Sequence, residues 1–251
     1  MGRLPASTAV ITGGESGIGL ATARLFVAEG ARVHLIGLDR QRLASALAEL
    51  GAAASGTVAD VRDSRQVQQA LGAATQRLGP LHVLFSNAGI SGPVATLVDY
   101  PEDEFRQVVD THVLGAFHLL KHALPLMVDG GSVIINSSVV GLRADLGIAG
   151  YAAAKHAQVG LARVAAKECA PRGIRVNTIH PGPTDTAFQR AIEVAATGAE
   201  PEVAARVFND MIPLGRHVTP EEIARVVLFL ACDDSAFITG ASVAVDGGMS
   251  I

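Results

Sequence analysis

The sequence predicts a single-domain α/β fold spanning residues 1–251: a doubly wound, seven-stranded parallel sheet with helices on both faces. Three observations carry this expectation. Seven short runs rich in β-branched or apolar residues alternate with longer stretches of helical periodicity. Most of those runs lack strict apolar/polar alternation, as strands covered on both faces do. No internal repeat, low-complexity tract or long linker marks a second domain.

In chain order, the first strand (8–12) runs into a glycine-rich turn and a helix over 17–29, stopped by Gly30. A strand at 32–36 leads to a helix over 39–50 ended by Gly51; a strand at 56–59 leads to a helix over 63–78 ended by Gly79-Pro80. The fourth strand (82–86) precedes one long helix over 102–127, whose last turn Pro125 weakens. The strand at 132–136 is followed by a helix over 149–170 that stops before Pro171, and a strand follows at 175–179. The helix over 220–231 opens with proline in its first turn, and the last strand is 242–245. Residues 186–212 break the rhythm. They are helical in composition, interrupted by Thr197-Gly198 and Pro201, and carry Phe188, Ile192, Val207, Phe208 and Ile212 over a strand end. Ligands of open α/β sheets bind beyond the carboxyl ends of the strands, so this segment reads as a small helical substrate lid.

Composition excludes several classes. At 49% hydrophobic and 18% charged the chain can bury a sizeable core, which rules out disorder. Twenty basic against 24 acidic residues give a net charge of −4, unlike a nucleic-acid binder with a broad basic surface. Cys169 and Cys232 are too few for a disulfide framework, lack metal-ligand spacing, and read as small buried thiols of a reducing compartment. No signal peptide, membrane span or myristoylation signal is recognisable. The expectation is a cytoplasmic protein with no metal, nucleic-acid or membrane partner.

The first chemical motif is Thr12-Gly13-Gly14-Glu15-Ser16-Gly17-Ile18-Gly19, between the first strand and the first helix. Glycines permit a tight turn whose N–H groups approach a pyrophosphate, and the helix N-terminus adds partial positive charge. The Gly-x-x-x-Gly-x-Gly spacing differs from the usual dinucleotide fingerprint and lacks the Gly-Lys-Ser/Thr end of a P-loop.

Together with later motifs, the chain resembles the short-chain dehydrogenase/reductase family over nearly its whole length. The matching pieces are residues 12–19, Asp60-Val61, Asn87-Ala88-Gly89, Ser138 and Tyr151-Ala-Ala-Ala-Lys155. Pro181-Gly182-Pro183-Thr184-Asp185-Thr186 and Asp246-Gly247-Gly248 complete the set. The resemblance implies a Rossmann fold, a nicotinamide cofactor and a homotetramer or homodimer. It also implies catalytic roles for Ser138, Tyr151 and Lys155. Tyr151 and Lys155, four apart on a helix, share one face. A lysine cation and an oxidised nicotinamide both favour the phenolate of a tyrosine whose free pKa is about 10. Tyr151 then acts as general acid or base, Lys155 holds the ribose hydroxyls, and Ser138 polarises the substrate oxygen.

By the same resemblance, Gly13, Ser16, Gly17, Ile18 and Gly19 bind the pyrophosphate, and Leu38 and Asp39 stand at the adenosine ribose. Asp60 accepts from the adenine amino group with Val61 beside the ring, and Asn87, Ala88 and Gly89 let the backbone pass close to the ribose. Pro181, Gly182, Thr184 and Thr186 hold the nicotinamide carboxamide.

Two positions depart from the family pattern. His112 stands where a catalytic asparagine is expected, and a histidine that titrates near neutral pH would keep the proton relay in altered form. Gly37 replaces the aspartate that ends the second strand of NAD-preferring relatives. Leu38 and Ser16 are not the basic residues of NADP-preferring ones. Glu15 adds negative charge and Asp39 could reach the ribose, while Arg40 and Arg42 could swing toward a phosphate. The balance favours NAD and leaves NADP open.

The function expected is hydride transfer between a nicotinamide and a secondary alcohol or ketone, with a modest, fairly apolar substrate suggested by the lid and residues 144–150. The alternative is an NADPH-dependent 3-oxoacyl-thioester reductase of carrier-linked synthesis. It would need a basic patch, for which Arg143, Arg190, Arg206 and Arg216 are scattered candidates. A non-catalytic nucleotide sensor has no reason to keep Ser138, Tyr151 and Lys155 together.

Overall fold

The structure, a computed structural model, describes residues 2–251. Its strands are β1 (Thr8–Thr12), β2 (Arg32–Gly37), β3 (Ala54–Val58), β4 (Leu81–Ser86), β5 (Met127–Asn136), β6 (Arg175–Pro181) and β7 (Ser242–Val245). All pair in parallel, in the order β3-β2-β1-β4-β5-β6-β7.

The absence of alternation in the strands has a direct cause: both faces are covered. Val10, Leu84, Val133, Ile135 and Val176 pack under α3 (Ser64–Leu78), α5 (Gly115–Ala123) and α6 (Ala149–Cys169). Their immediate neighbours Ala9, Ile11, Val83, Phe85 and Ile134 point the other way, onto α1 (Gly17–Ala28), α2 (Arg40–Leu50) and α9 (Pro220–Ala231). Successive side chains of a strand alternate in direction, so two apolar layers require a continuous apolar run.

Three expected elements change. The single helix over 102–127 is instead α4 (Glu102–Val109), a π-turn over Asp110–Leu114 and α5, followed by a 3₁₀ turn at Leu124–Leu126. Pro125 sits in that turn, where its missing N–H removes a helical bond. Met127 already belongs to β5, paired with Leu81 before a register shift. Gly130, with φ 79°, allows the irregularity. β3 begins at Ala54 because Ala54 and Ser55 pair with Val33 and His34.

The interrupted segment forms α7 (Ala187–Thr197) and α8 (Pro201–Asp210) beyond the end of β6. Thr186 caps α7 by accepting from the Gln189 N–H at 3.2 Å, and Gly198 ends it in the left-handed region with φ 64°. Glu193, 1% exposed, binds α7 to its surroundings: it accepts from Gln189 and pairs with His217, whose other ring nitrogen meets Asn209 of α8. Among the described residues no helix is long and apolar enough to cross a membrane.

Candidate active site

The strand order reverses between β1 and β4, and the crevice beyond that point is where an open α/β sheet binds ligands. A cavity of about 830 Å³ opens there, lined from the ends of β1, β2, β4, β5 and β6. Gly13 (φ 60°) and Gly17 (φ 49°) shape the turn after β1 in a region L side chains rarely adopt. Ser16, in extended conformation, is the N-cap of α1. Ser16, Gly17 and Ile18 line the cavity with Gly13, whereas Gly19 does not. A Cβ at Gly19 would strike the Gly13 carbonyl, so this glycine serves the close approach of helix to turn.

A polar chain ties the turn to the far side of the cavity. The Thr12 hydroxyl accepts from the N–H groups of Asn87 (2.9 Å) and Ala88 (3.0 Å), and the Asn87 amide donates to the Thr12 carbonyl at 2.9 Å. Asn136 donates to Asn87 Oδ1 at 2.8 Å, and Lys155 Nζ donates to the Asn136 carbonyl at 2.6 Å. Asn136 was not anticipated from sequence. Forty-nine residues separate it from Asn87, and only the sheet brings them together.

Ser138, Tyr151 and Lys155 share one wall of the cavity. Ser138 leaves β5 as the N-cap of a short 3₁₀ turn, and its carbonyl accepts from His180 Nδ1 at 2.7 Å. Tyr151 and Lys155 are one turn apart on α6, with the ammonium 5.3 Å from the phenol ring centre. Burial dominates both. It pushes the Tyr151 phenol up to about 12 against the opposing Ser138 hydrogen bond, and lowers the Lys155 ammonium to about 7. The expectation that Lys155 depresses Tyr151 therefore does not describe the free protein. The ammonium is held by the Asn136 carbonyl and is itself desolvated.

His112 lies in the π-turn, edge-on to Tyr151 with ring centres 5.3 Å apart. Such turns insert one extra residue per helical turn and recur at functional sites. The ring fits because position 89 is glycine: a Cβ there would lie 3.1 Å from Nδ1 and 3.2 Å from Nε2. Nε2 meets the Ile90 backbone, 2.7 Å from its carbonyl and 3.2 Å from its N–H, while Nδ1 is buried without a partner. Gln158 takes up the His112 carbonyl at 3.0 Å. Burial, and then the Lys155 charge, lower the ring to about 3, so the expected titration near neutrality does not hold.

At the adenosine end, Asp60 and Val61 line the cavity with the unanticipated Arg62, whose guanidinium clamps the Asp60 carboxylate (Nη2 at 2.6 Å) and holds it below its ordinary value. Asp39 stands outside the lining. Its Oδ1 accepts from the N–H groups of Gln41 and Arg42 at 2.9 and 3.0 Å, capping α2, while Oδ2 lies 3.4 Å from the Arg42 guanidinium. Leu38 is 60% exposed at the rim. The Glu15 carboxylate lies against Gly37, accepting from the Leu38 N–H at 3.2 Å through Oε1. Ala88, Gly89, Pro181, Gly182, Thr184 and Thr186 also line the cavity, as does the N-terminal turn of α7 from Ala187 to Arg190. Positive-φ glycines at the turn, and the buried, unpartnered Glu15 Oε2, Asn136 Oδ1 and His112 Nδ1 of residues that line the cavity, fit a hydroxyl- and amide-bearing dinucleotide.

Comparison with known proteins agrees with this geometry. A family model described as enoyl-(acyl carrier protein) reductase matches residues 13–250. A 3-oxoacyl-[acyl-carrier-protein] reductase of Thermotoga maritima is 37% identical over 254 residues, covering 99% of this chain and 100% of that protein. A cyclohexanol dehydrogenase of Acinetobacter sp. is 35% identical over 244 residues, 95% of this chain and 93% of its own. The crystal structure of levodione reductase is similar at a TM-score of 0.96 and 37% identity, covering 99% of each chain. NAD+-bound xylitol dehydrogenase is similar at 0.93 and 32%, covering 98% of this chain and 100% of that one. The chain belongs to the short-chain dehydrogenase/reductase family of nicotinamide-dependent oxidoreductases.

Proposed function

We propose that this single-domain enzyme interconverts a secondary alcohol and a ketone with NAD(H), using Tyr151 as general acid and base. The observation that carries the reading is the shared cavity wall of Ser138, Tyr151 and Lys155 beside a glycine turn suited to a dinucleotide. The nicotinamide, when bound, supplies or takes the hydride. The Ser138 hydroxyl orients the substrate oxygen. Tyr151, protonated in the free protein, donates its proton to a carbonyl oxygen in reduction and recovers it from the alcohol in oxidation. Lys155, near 7, exchanges a proton close to neutral pH from a position fixed by Asn136. His112 stays neutral, and its unpartnered Nδ1 is the ring atom through which it serves the relay.

The residues assigned to the cofactor are Gly13, Ser16, Gly17, Ile18, Leu38, Asp60, Val61, Asn87, Ala88, Gly89, Pro181, Gly182, Thr184 and Thr186, with Tyr151 and Lys155. α7 and α8 act as the substrate lid. Tyr151 packs against the cluster of Val139, Val140, Ile212 and Met249, which supports a modest, fairly apolar substrate. The carrier-linked alternative finds less support: Arg143, Arg190 and Arg216 are paired with Asp145, Asp185 and Glu222 rather than forming a basic patch. Exposed Phe117 on α5, Val164 on α6 and Ile251 favour assembly as a homotetramer or homodimer, which light scattering tests. Two buried free cysteines accord with a cytoplasmic location.

The decisive experiment is Tyr151→Phe assayed on a panel of secondary alcohols and ketones. Turnover falls by about a thousandfold or more while NADH binding persists, consistent with loss of a general acid. Unchanged turnover refutes the assignment. For the relay, His112→Asn is expected to alter both rate and pH profile; a variant that leaves both unchanged removes His112 from the mechanism.

A further inference from the structure

On the NAD reading above, cofactor choice calls for a carboxylate at the adenosine ribose that the end of β2 does not supply. In dinucleotide folds an acidic residue about 20 residues past the glycine turn accepts from the ribose 2′-hydroxyl. Here that position, counted from Gly17, is Gly37 at the end of β2, which offers no side chain. The backbone of Gly37 is not left-handed, so conformation does not demand glycine. Space does. A Cβ on Gly37 would lie 2.6 Å from Glu15 Oε1 and closer still to Oε2, because the Glu15 carboxylate occupies the place a side chain at 37 would take.

That carboxylate is half satisfied. Oε1 accepts from the Leu38 N–H at 3.2 Å, while Oε2 is buried without a partner, in a residue that lines the cavity. The two candidate positions for a phosphate-binding cation hold Ser16 and Leu38. Arg42, on the same lining, lies 3.4 Å from the Asp39 carboxylate. We propose that Glu15 is the specificity-determining residue for the cofactor: its free oxygen accepts from the adenosine ribose hydroxyls, and its charge repels a 2′-phosphate. The turn thereby supplies, from the neighbouring strand, the carboxylate that β2 lacks.

The test is equilibrium binding of NADH and NADPH without substrate, followed by nicotinamide fluorescence, for wild type, Glu15→Gln, Glu15→Ala and Glu15→Ala/Gly37→Asp. Circular dichroism of each variant checks folding. Glu15→Gln keeps an acceptor for Leu38 and loses the charge, so NADPH binding tightens and the wild-type preference for NADH narrows by about tenfold, the effect of one charge-assisted interaction. Glu15→Ala weakens NADH by a similar factor. The double variant, with room now open at position 37, regains NADH preference. If Glu15 merely braces the end of β2, Glu15→Gln leaves the NADH/NADPH ratio unchanged and Glu15→Ala weakens both cofactors equally; either result overturns the proposal. A wild-type preference for NADPH overturns the NAD reading itself, whereas a wild-type NADH preference that survives both single variants overturns only the role of Glu15.

Discussion

Replacing Lys155 with methionine should abolish turnover and, in the absence of cofactor, make the protein more stable at neutral pH. The side chain is 3% exposed, and burial lowers its ammonium from 10.5 to about 7. Below about pH 7 the lysine is charged in both the folded and the unfolded chain, so the fold bears the whole cost of desolvating that charge. As pH rises from about 7 to 10.5 the folded protein releases the proton first, and the cost declines to nothing. A shift of this size corresponds to roughly 3–5 kcal/mol at about 1.4 kcal/mol per unit. Methionine keeps most of the volume and removes the charge, but strands the Asn136 carbonyl, at about 1–3 kcal/mol. The difference is a net gain of roughly 2 kcal/mol, or about 4–8 °C in Tm for a chain of this length. Thermal unfolding of both proteins at about pH 6.5 and about pH 9.5, read by circular dichroism, measures it. The Lys155→Met advantage is expected to be larger at the lower pH. A variant that melts below wild type at the lower pH, or a gap that ignores pH, refutes the reasoning.

Two other perturbations probe the surroundings. Gly89→Ala forces a methyl group into the His112 ring, which the Ile90 carbonyl holds in place; it should cost about 1–3 kcal/mol and lower kcat. Melting of Gly89→Ala/His112→Ser should recover the lost stability without the rate, and a Gly89→Ala protein as stable and active as wild type contradicts the packing. Glu193→Ala leaves Gln189 and the buried end of His217 unpartnered, a loss of about 1–3 kcal/mol. If α7 and α8 form the lid, steady-state kinetics will show KM rising by more than kcat falls, and an unchanged KM speaks against the lid.

Layering was legible in the sequence because covering both sheet faces forces the continuous apolar runs seen in β1, β4 and β5. The ends of α2, α3 and α7 were legible through Gly51, Gly79 and Gly198, each at positive φ. The π-turn was not, since one extra residue within 102–127 only rotates an apolar pattern that a plain helix would also show. Its signals were local: His112 in the asparagine position, three residues before Gly115. Asp39 shows a different kind of signal: an aspartate immediately before a helix is a capping signature, and one of its oxygens caps α2 outside the cavity lining. Lys155 and Tyr151 could be paired from their spacing, but their charge states follow from burial, which no spacing encodes.

Burial also explains why the site couples folding to binding. Folded proteins leave few buried polar atoms unpaired, yet Glu15 Oε2, His112 Nδ1 and Asn136 Oδ1 are so placed and all belong to residues lining one cavity. Each unpaired group costs about 1–3 kcal/mol, and the Lys155 charge adds to the same side. A ligand that gives these atoms partners relieves costs already present in the free protein, so its binding appears as stabilisation of the fold. It follows that a variant which relieves one of the costs by deletion has less left for the ligand to relieve. Lys155→Met should therefore melt higher than wild type alone and gain less from added NADH, because the stability it gains and the stabilisation it loses arise from the same buried charge.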